Sequence, residues 1–265
     1  MTLAAGPGFS VPDVSELLGF KPFFSFALAG ITFHVTFVTV LMFLLSFLIG
    51  GLFIAAFRRA NVVPSPMQNV FEAGIDAVRE NIVLPTIGPE GDRWLPYLAS
   101  MFFFVFALNF MEVIPGISFP ITSHMAIPVF LSLMTYVIFN VVGIRSQGVG
   151  AYFKGVLFPP GVPKFIYIIL TPIEFASTFI FRPLTLAVRL FANMMAGHVM
   201  LTIFFLASGY FMYRSQSLFL HVLTPFPVAL AIILVIFEMF IGLIQAFIIT
   251  ILSAVYIGGA MHPEH

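Results

Sequence analysis

From Pro163 to Tyr213 the chain is apolar for about 50 residues, a length that no upright bilayer-spanning helix needs. At 1.5 Å rise per residue such a helix would extend ~75 Å, more than twice a hydrocarbon core of about 30 Å. Either the run breaks into a hairpin, with Pro172 and Pro183 as the weak points, or it lies steeply tilted inside the membrane against something that covers its polar groups. A second overlong run, Leu218 to Tyr256, poses the same problem at ~39 residues. Two such runs in succession suggest a tilted antiparallel pair. Composition sets the solvent: 60% of residues are hydrophobic and 8% charged, where a soluble domain carries roughly 25% charged residues.

Three ordinary spans precede this pair. Thr32 to Phe57 is closed by Arg58 and Arg59, Leu95 to Ile114 is ended by Pro115 and Gly116, and His124 to Ile144 is closed by Arg145. Between the first two, "PMQNVFEAGIDAVRENIVLP" places Val70, Phe71, Ile75 and Val78 at helical spacing among Glu72, Asp76, Arg79 and Glu80. This is an amphipathic helix, lying at the interface or docked on the protein as a loop helix. The expected fold is an all-α polytopic membrane protein with upright transmembrane helices, an interfacial amphipathic helix and two long, steeply tilted antiparallel C-terminal helices. Its parts are an N-terminal external segment (1–31), a first transmembrane helix (32–59), the amphipathic helix and loop (60–93), a helical hairpin (94–145), a cytoplasmic loop (146–162), the tilted hairpin (163–258) and a tail (259–265). No secretory signal is expected, since the first residues lack a cationic start and a short apolar run. With the N-terminus outside, Arg58, Arg59, Arg79, Arg93, Arg145, Lys154 and Lys164 fall inside and only Lys21 and Arg214 outside, which also puts the C-terminus in the cytoplasm.

The polar residues within the runs are the candidate site. Arg189 sits about 25 residues from either end of its run, too deep for snorkelling in an upright helix. A buried arginine costs at least ~2.5 kcal/mol on insertion scales, and that cost is offset by a partner anion, a wet cavity or a function. The plain alternative is an internal salt bridge to Glu174, Glu238 or Glu112. Asn193 follows Arg189 by four residues and shares its face, His198 lies toward one end and Glu174 toward the other. Glu238 and Gln245 share a face of the last run, two turns apart. Arg182 directly precedes Pro183 near the cytoplasmic side. A histidine and a carboxylate in a wet cavity suit proton relay. An arginine does not relay, because its guanidinium effectively never loses its proton; its fixed charge repels a passing proton and attracts a carboxylate. His34, His124 and His221 lie near span ends and read as interfacial.

"RPLTLAVRLFANMMAGHVM" followed by "FEMFIGLIQAFIITILSAVYI", with "ALNFMEVIPG" upstream, resembles subunit a of the rotary F-type ATP synthase, from the first span to Tyr256. The resemblance implies a stator that packs along a ring of c subunits, each with one mid-membrane carboxylate facing Arg189. Two offset half-channels would carry protons to and from that ring, with His198, Glu238 and Glu112 on the outer path. Glu174 and Arg182 match inner positions, Glu174 with a one-residue shift relative to some members; Asn193 and Gln245 match polar neighbours of the arginine. Many bacterial members carry glutamate and histidine in the reverse order, and this chain has the arrangement usual in mitochondria. Implied partners are the c ring, peripheral-stalk b subunits, other ATP synthase subunits and membrane lipid, in a bacterial plasma membrane.

Other classes fit less well. There is no GxxxxGK[ST] loop, HExxH or GxSxG, and no cysteine, so neither ATP chemistry nor a thiol site is expected, and no cofactor. Zero formal net charge offers no basic face to nucleic acid or to anionic lipid. A proton-coupled secondary transporter predicts an internal repeat, but the overlong runs occur only in the C-terminal half. An intramembrane aspartyl hydrolase needs aspartates in the spans, and Asp13, Asp76 and Asp92 all lie outside them.

Overall fold

A computed structural model describes residues 23–28, 31–58, 64–114, 124–158, 163, 165–214 and 218–261. Lys21, Arg59 and Lys164 lie outside these residues, as do the side chains of His34, Glu112 and Arg214. Among the described residues five helical segments are long and apolar enough to cross a membrane: Phe37–Phe57, Pro89–Met111, Ala126–Gln147, Tyr167–Tyr213 and Phe219–Met261.

Strands β1 (Phe24–Leu28) and β2 (Ile31–Val35) pair antiparallel, with Phe24 opposite Val35 and Leu28 opposite Ile31. The expected first span therefore starts too early. Helix α1 (Phe37–Phe57) begins five residues after Thr32, where the Thr36 side chain accepts from the Thr39 amide at 3.5 Å and caps it. Apolar, β-branched residues such as Ile31 and Val35 satisfy a strand as readily as a membrane helix, so hydropathy does not separate the two.

Helix α2 (Pro66–Val78) is started by Ser65, which accepts from the Gln68 amide at 3.3 Å, and by Pro66 in its first turn. It continues through a π-helical turn (Arg79–Val83) and a last turn (Leu84–Thr86). Its inner face differs from the expected one. Val70 is exposed, while Val78, Ile82 and Val83 are buried against Leu98 and Ala99 of α3 (Leu95–Val113) and against Ala254 and Ile257. The segment is thus docked on the protein, and Phe71 completes an aromatic group with Phe53 of α1 (ring centroids 4.7 Å apart) and Phe103 of α3 (6.0 Å). Arg79 clamps the following turn by a bidentate pair to Asp92, 2.8 and 2.7 Å, and this hydrogen bonding raises the Arg79 pKa above its ordinary value.

Helix α4 (Ala126–Gln147) stops at Gly148, whose φ of 82° turns the chain into α5 (Val149–Leu157), so the expected cytoplasmic loop is partly helical. Then come α6 (Tyr167–Phe175), a π-helical stretch (Ala176–Phe181) and α7 (Arg182–Gly209), which together form a continuous segment of 47 residues to Tyr213. The expected hairpin alternative is ruled out: the chain does not fold back at Pro172 or Pro183. Pro183 has no N–H to give, and the ladder changes register just before it, with the Arg182 amide bonding the Ser177 carbonyl five residues back. The Ser132 hydroxyl of α4 donates to the Pro183 carbonyl and braces this turn. A short helix α8 (Leu218–Leu223) leads into α9 (Pro225–Met261), 37 residues long.

Helices α7 and α9 pack antiparallel, since Leu190 and Met194 share a core with Ala246 and Ile249, whereas Gly197 meets Glu238. Met101 and Val105 of α3 and Leu131 of α4 complete that core. A satellite cluster joins Val38, Leu41 and Leu45 of α1 to Leu108 of α3. Polar ties cross the apolar interior: Tyr97 to Thr135 at 3.0 Å and Thr135 to Ser253 at 3.2 Å link α3, α4 and α9. Such interhelical bonds contribute roughly 0.6 kcal/mol each in a membrane. Outward, Phe47, Ile168, Ile236 and Phe240 are among many large apolar side chains left exposed, a surface stable in hydrocarbon rather than water.

Candidate ion-path site

The exposed and buried positions of α7 separate into two stripes at helical spacing. Leu186, Leu190 and Met194 face the core, while Thr185, Val188, Arg189, Ala192 and Ala196 are exposed on the other side. The alternative of an internal salt bridge finds no support: Arg189 forms no ion pair or hydrogen bond with any described residue, including Glu174 and Glu238. Glu112 belongs to α3, but its side chain lies outside the description. Threonine and two alanines beside the guanidinium leave room for another helix to come close. Asn193, one turn on, is half-buried between the two stripes.

Across the helix pair, α9 supplies a buried polar row. Glu238 is 7% exposed and Gln245 4%, with Gly242 between them. Two contacts position the row. Gly197 of α7 leaves its Cβ position to the Glu238 carboxyl, which would overlap any side chain placed there. Asn109 of α3, itself 2% exposed, donates through Nδ2 to the Gly242 carbonyl at 3.1 Å. The fit is close, because a Cβ at Gly242 would lie 3.2 Å from the Asn109 Cβ. Half-buried His198 is the next residue after Gly197, so imidazole and carboxyl stand at one level of the helix pair. That level is nine residues from Arg189, ~13 Å along the axis. The Gln245 Nε2 is buried without a partner among the described residues, at the level where Ala246 packs with Leu190.

Toward the other end, Arg182 stacks its guanidinium 5.3 Å from the Tyr256 ring centre. It also lies close enough to Tyr152 of α5 to oppose the upward pKa shift that burial gives that phenol. Glu174 is half-buried on α6, before the π-helical stretch. The structure therefore brings Glu238 to the level of His198, keeps Arg189 apart on an exposed face, and sets Arg182 and Glu174 beyond it. No cluster of three or more His, Cys, Asp or Glu suited to a metal occurs among the described residues.

Sequence reading missed Asn109, Gly197 and Gly242 as site-forming residues. An asparagine within "FFFVFALNF" was the available signal for the first; the glycines gave none, because each matters through a neighbour on another helix.

Five apolar helical segments and a mid-segment guanidinium turned away from its own fold define an integral membrane protein of the ion-translocating class. A family model described as ATP synthase A chain matches residues 24–258. Relatives named ATP synthase subunit a include one from Parafrankia sp. (strain EAN1pec), 43% identical over 98% of this chain and 86% of its own length. Others are from Frankia alni (strain DSM 45986 / CECT 9034 / ACN14a), 40% identical over 98% and 89%, and Rhodococcus erythropolis (strain PR4 / NBRC 100887), 36% identical over 100% and 94%. The chain belongs to the ATP synthase A chain family, and is a multi-pass membrane subunit of the ATP synthase complex.

Proposed function

We propose that this chain is the stator that carries protons to and from the rotating ring of c subunits through two offset half-channels, coupling ion flow to rotation and ATP synthesis. The observation that carries the reading is Arg189: a permanent cation on an exposed helical face, flanked by small residues and with no partner among the described residues. A passing c-subunit carboxylate is the counter-charge it lacks. Beside the guanidinium that carboxylate stays ionised, so it must release its proton on one side and regain one on the other. The same charge repels protons and blocks a direct leak.

His198 and Glu238, level with each other on α7 and α9, serve as the outer relay, with Glu112 nearer its mouth. A buried carboxyl beside an imidazole can pass a proton along without either group crossing to Arg189. Glu174 and Arg182 belong to the inner path, and Asn193 and Gln245 orient water or the guanidinium between the halves. The chain performs no ATP chemistry itself; that step belongs to other subunits of the complex. Orientation follows the basic residues. Arg93 reaches the Met261 sulfur at 3.2 Å, and Ser146 and Gln147 bond the Ala260 carbonyl at 3.0 and 2.9 Å. The arginine-bearing ends of α3 and α4 thus meet the end of α9, an arrangement that supports a cytoplasmic C-terminus and an external N-terminus in a bacterial plasma membrane. The peripheral-stalk b subunits would dock elsewhere on the chain's lipid-facing surface.

The test is Arg189→Ala in the assembled complex in sealed vesicles, following ATP-driven proton uptake and passive leak together. Loss of uptake with a raised leak is expected. Normal uptake by correctly assembled complex would overturn the reading.

A further inference from the structure

At the end of the bundle where α9 finishes, a groove of about 520 Å³ opens between the start of α3 and the outer face of α4. Its lining divides by chemistry. Arg93, Trp94, Arg145 and Ser146 form one part; Val137, Ile138, Val141 and Val142 form an apolar wall on α4. The order along α4 is directional, since Arg145 stands at its last turns and Val141 and Val137 lie about 6 and 12 Å deeper into the bundle. Cations therefore stand over an aliphatic wall in the order that a lipid presents phosphate and acyl chain.

The zero net charge of the whole chain does not rule out a local basic site here, because no described residue neutralises either arginine. Both are exposed, and no described carboxylate pairs with either; the nearby Asp92 is taken by Arg79 at 2.7 Å. Arg93 instead directs Nη2 at the Met261 sulfur, a weak acceptor that leaves its charge in place. Trp94 adds an indole N–H that is buried without an acceptor among the described residues. Aromatic and basic side chains together are the usual anchors at the membrane–water boundary, and basic pockets between helices on that side bind anionic headgroups. A free phosphate would use the arginines and leave the valine wall unexplained.

We propose that this groove is a specific site for an anionic phospholipid, with Arg93 and Arg145 on its phosphate and an acyl chain along Val137 and Val141. The site is separate from the ion path, so its test is independent of the role given to Arg189. The probe is phosphatidylglycerol carrying a photoreactive group in the acyl chain, added to the purified, delipidated complex and mapped by peptide mass spectrometry. Labelling of the 137–146 peptide is expected. It should fall at least tenfold when unlabelled phosphatidylglycerol competes, and stay unchanged with phosphatidylcholine or inorganic phosphate. Arg93→Gln with Arg145→Gln should reduce labelling at least fivefold, and Val141→Phe, which fills the wall and keeps both charges, should reduce it as well; retained ATP-driven pumping shows that each variant assembles. Equal labelling by a phosphatidylcholine probe, competition by phosphate alone, or labelling indifferent to all three substitutions would overturn the proposal. So would cross-linking of this face to another subunit in place of lipid.

Discussion

The Glu238 carboxyl sits in a space that exists because residue 197 is glycine. A methyl group there would overlap the carboxyl oxygen, and the backbone on both sides belongs to packed helices that cannot withdraw. Gly197→Ala is therefore expected to displace Glu238 and reduce ATP-driven proton uptake at least tenfold in vesicles, with the complex still assembled. Glu238→Asp draws the carboxyl back by one methylene, so adding it to Gly197→Ala should recover part of the uptake, whereas a merely destabilised helix would be worsened by a second change. If Gly197→Ala pumps normally, the carboxyl is not held where the proton path needs it. Sequence reading singled out His198 and Glu238 as candidates because charged and polar groups stand out in an apolar run. It passed over Gly197, and Asn109 with its 3.1 Å bond to the Gly242 carbonyl, because those roles are defined by residues more than 40 positions away.

Among elements, the long segment running from α6 through α7 owes its usefulness to a register change. One π-helical turn inserts an extra residue, and each residue of an α-helix turns the face by about 100°. The stretch Ala176–Phe181 thus sets which way Arg189 points, and Pro183, unable to donate to the ladder, sits just beyond it. Pro183→Ala restores an N–H and lets the turn relax to α-helical register. The expected result is Arg189 swung off its exposed stripe and proton uptake lowered several-fold, while assembly, followed by native gel, is unchanged. Uptake equal to the parent would mean that α4, through Ser132, fixes the register without the proline. Hydropathy exposed the length of this segment and marked both prolines as weak points, but length alone left hairpin and tilt open. It also extended the first span over β2, since a strand and a span draw on the same apolar residues. Gly148 ending α4 and Ser65 capping α2 follow ordinary local chemistry, and local chemistry is what a sequence displays most directly.

For the whole molecule, the decisive property is what it leaves uncovered. Facing lipid, an unpaired arginine would cost at least ~2.5 kcal/mol, and nothing described in the chain offsets that cost. On the proposed reading, the exposed stripe of α7 is an interface with a partner that brings negative charge. Because the chain contains no cysteine, single substitutions can report that interface without background from its own thiols. Ala192→Cys and Ala196→Cys lie on the stripe; Leu190→Cys and Met194→Cys, buried at 1% exposure, are their controls on the opposite face. Paired with a cysteine one turn from the c-subunit carboxylate, the first two should form a disulfide under mild oxidation in membranes, and the controls should not. The cross-link should also stop ATP-driven rotation and be released by reductant, a behaviour that only a contact with the moving part can produce. Cross-linking from the buried positions, or rotation that continues through the bond, would place the ring against another face and leave Arg189 to pair with something that does not turn.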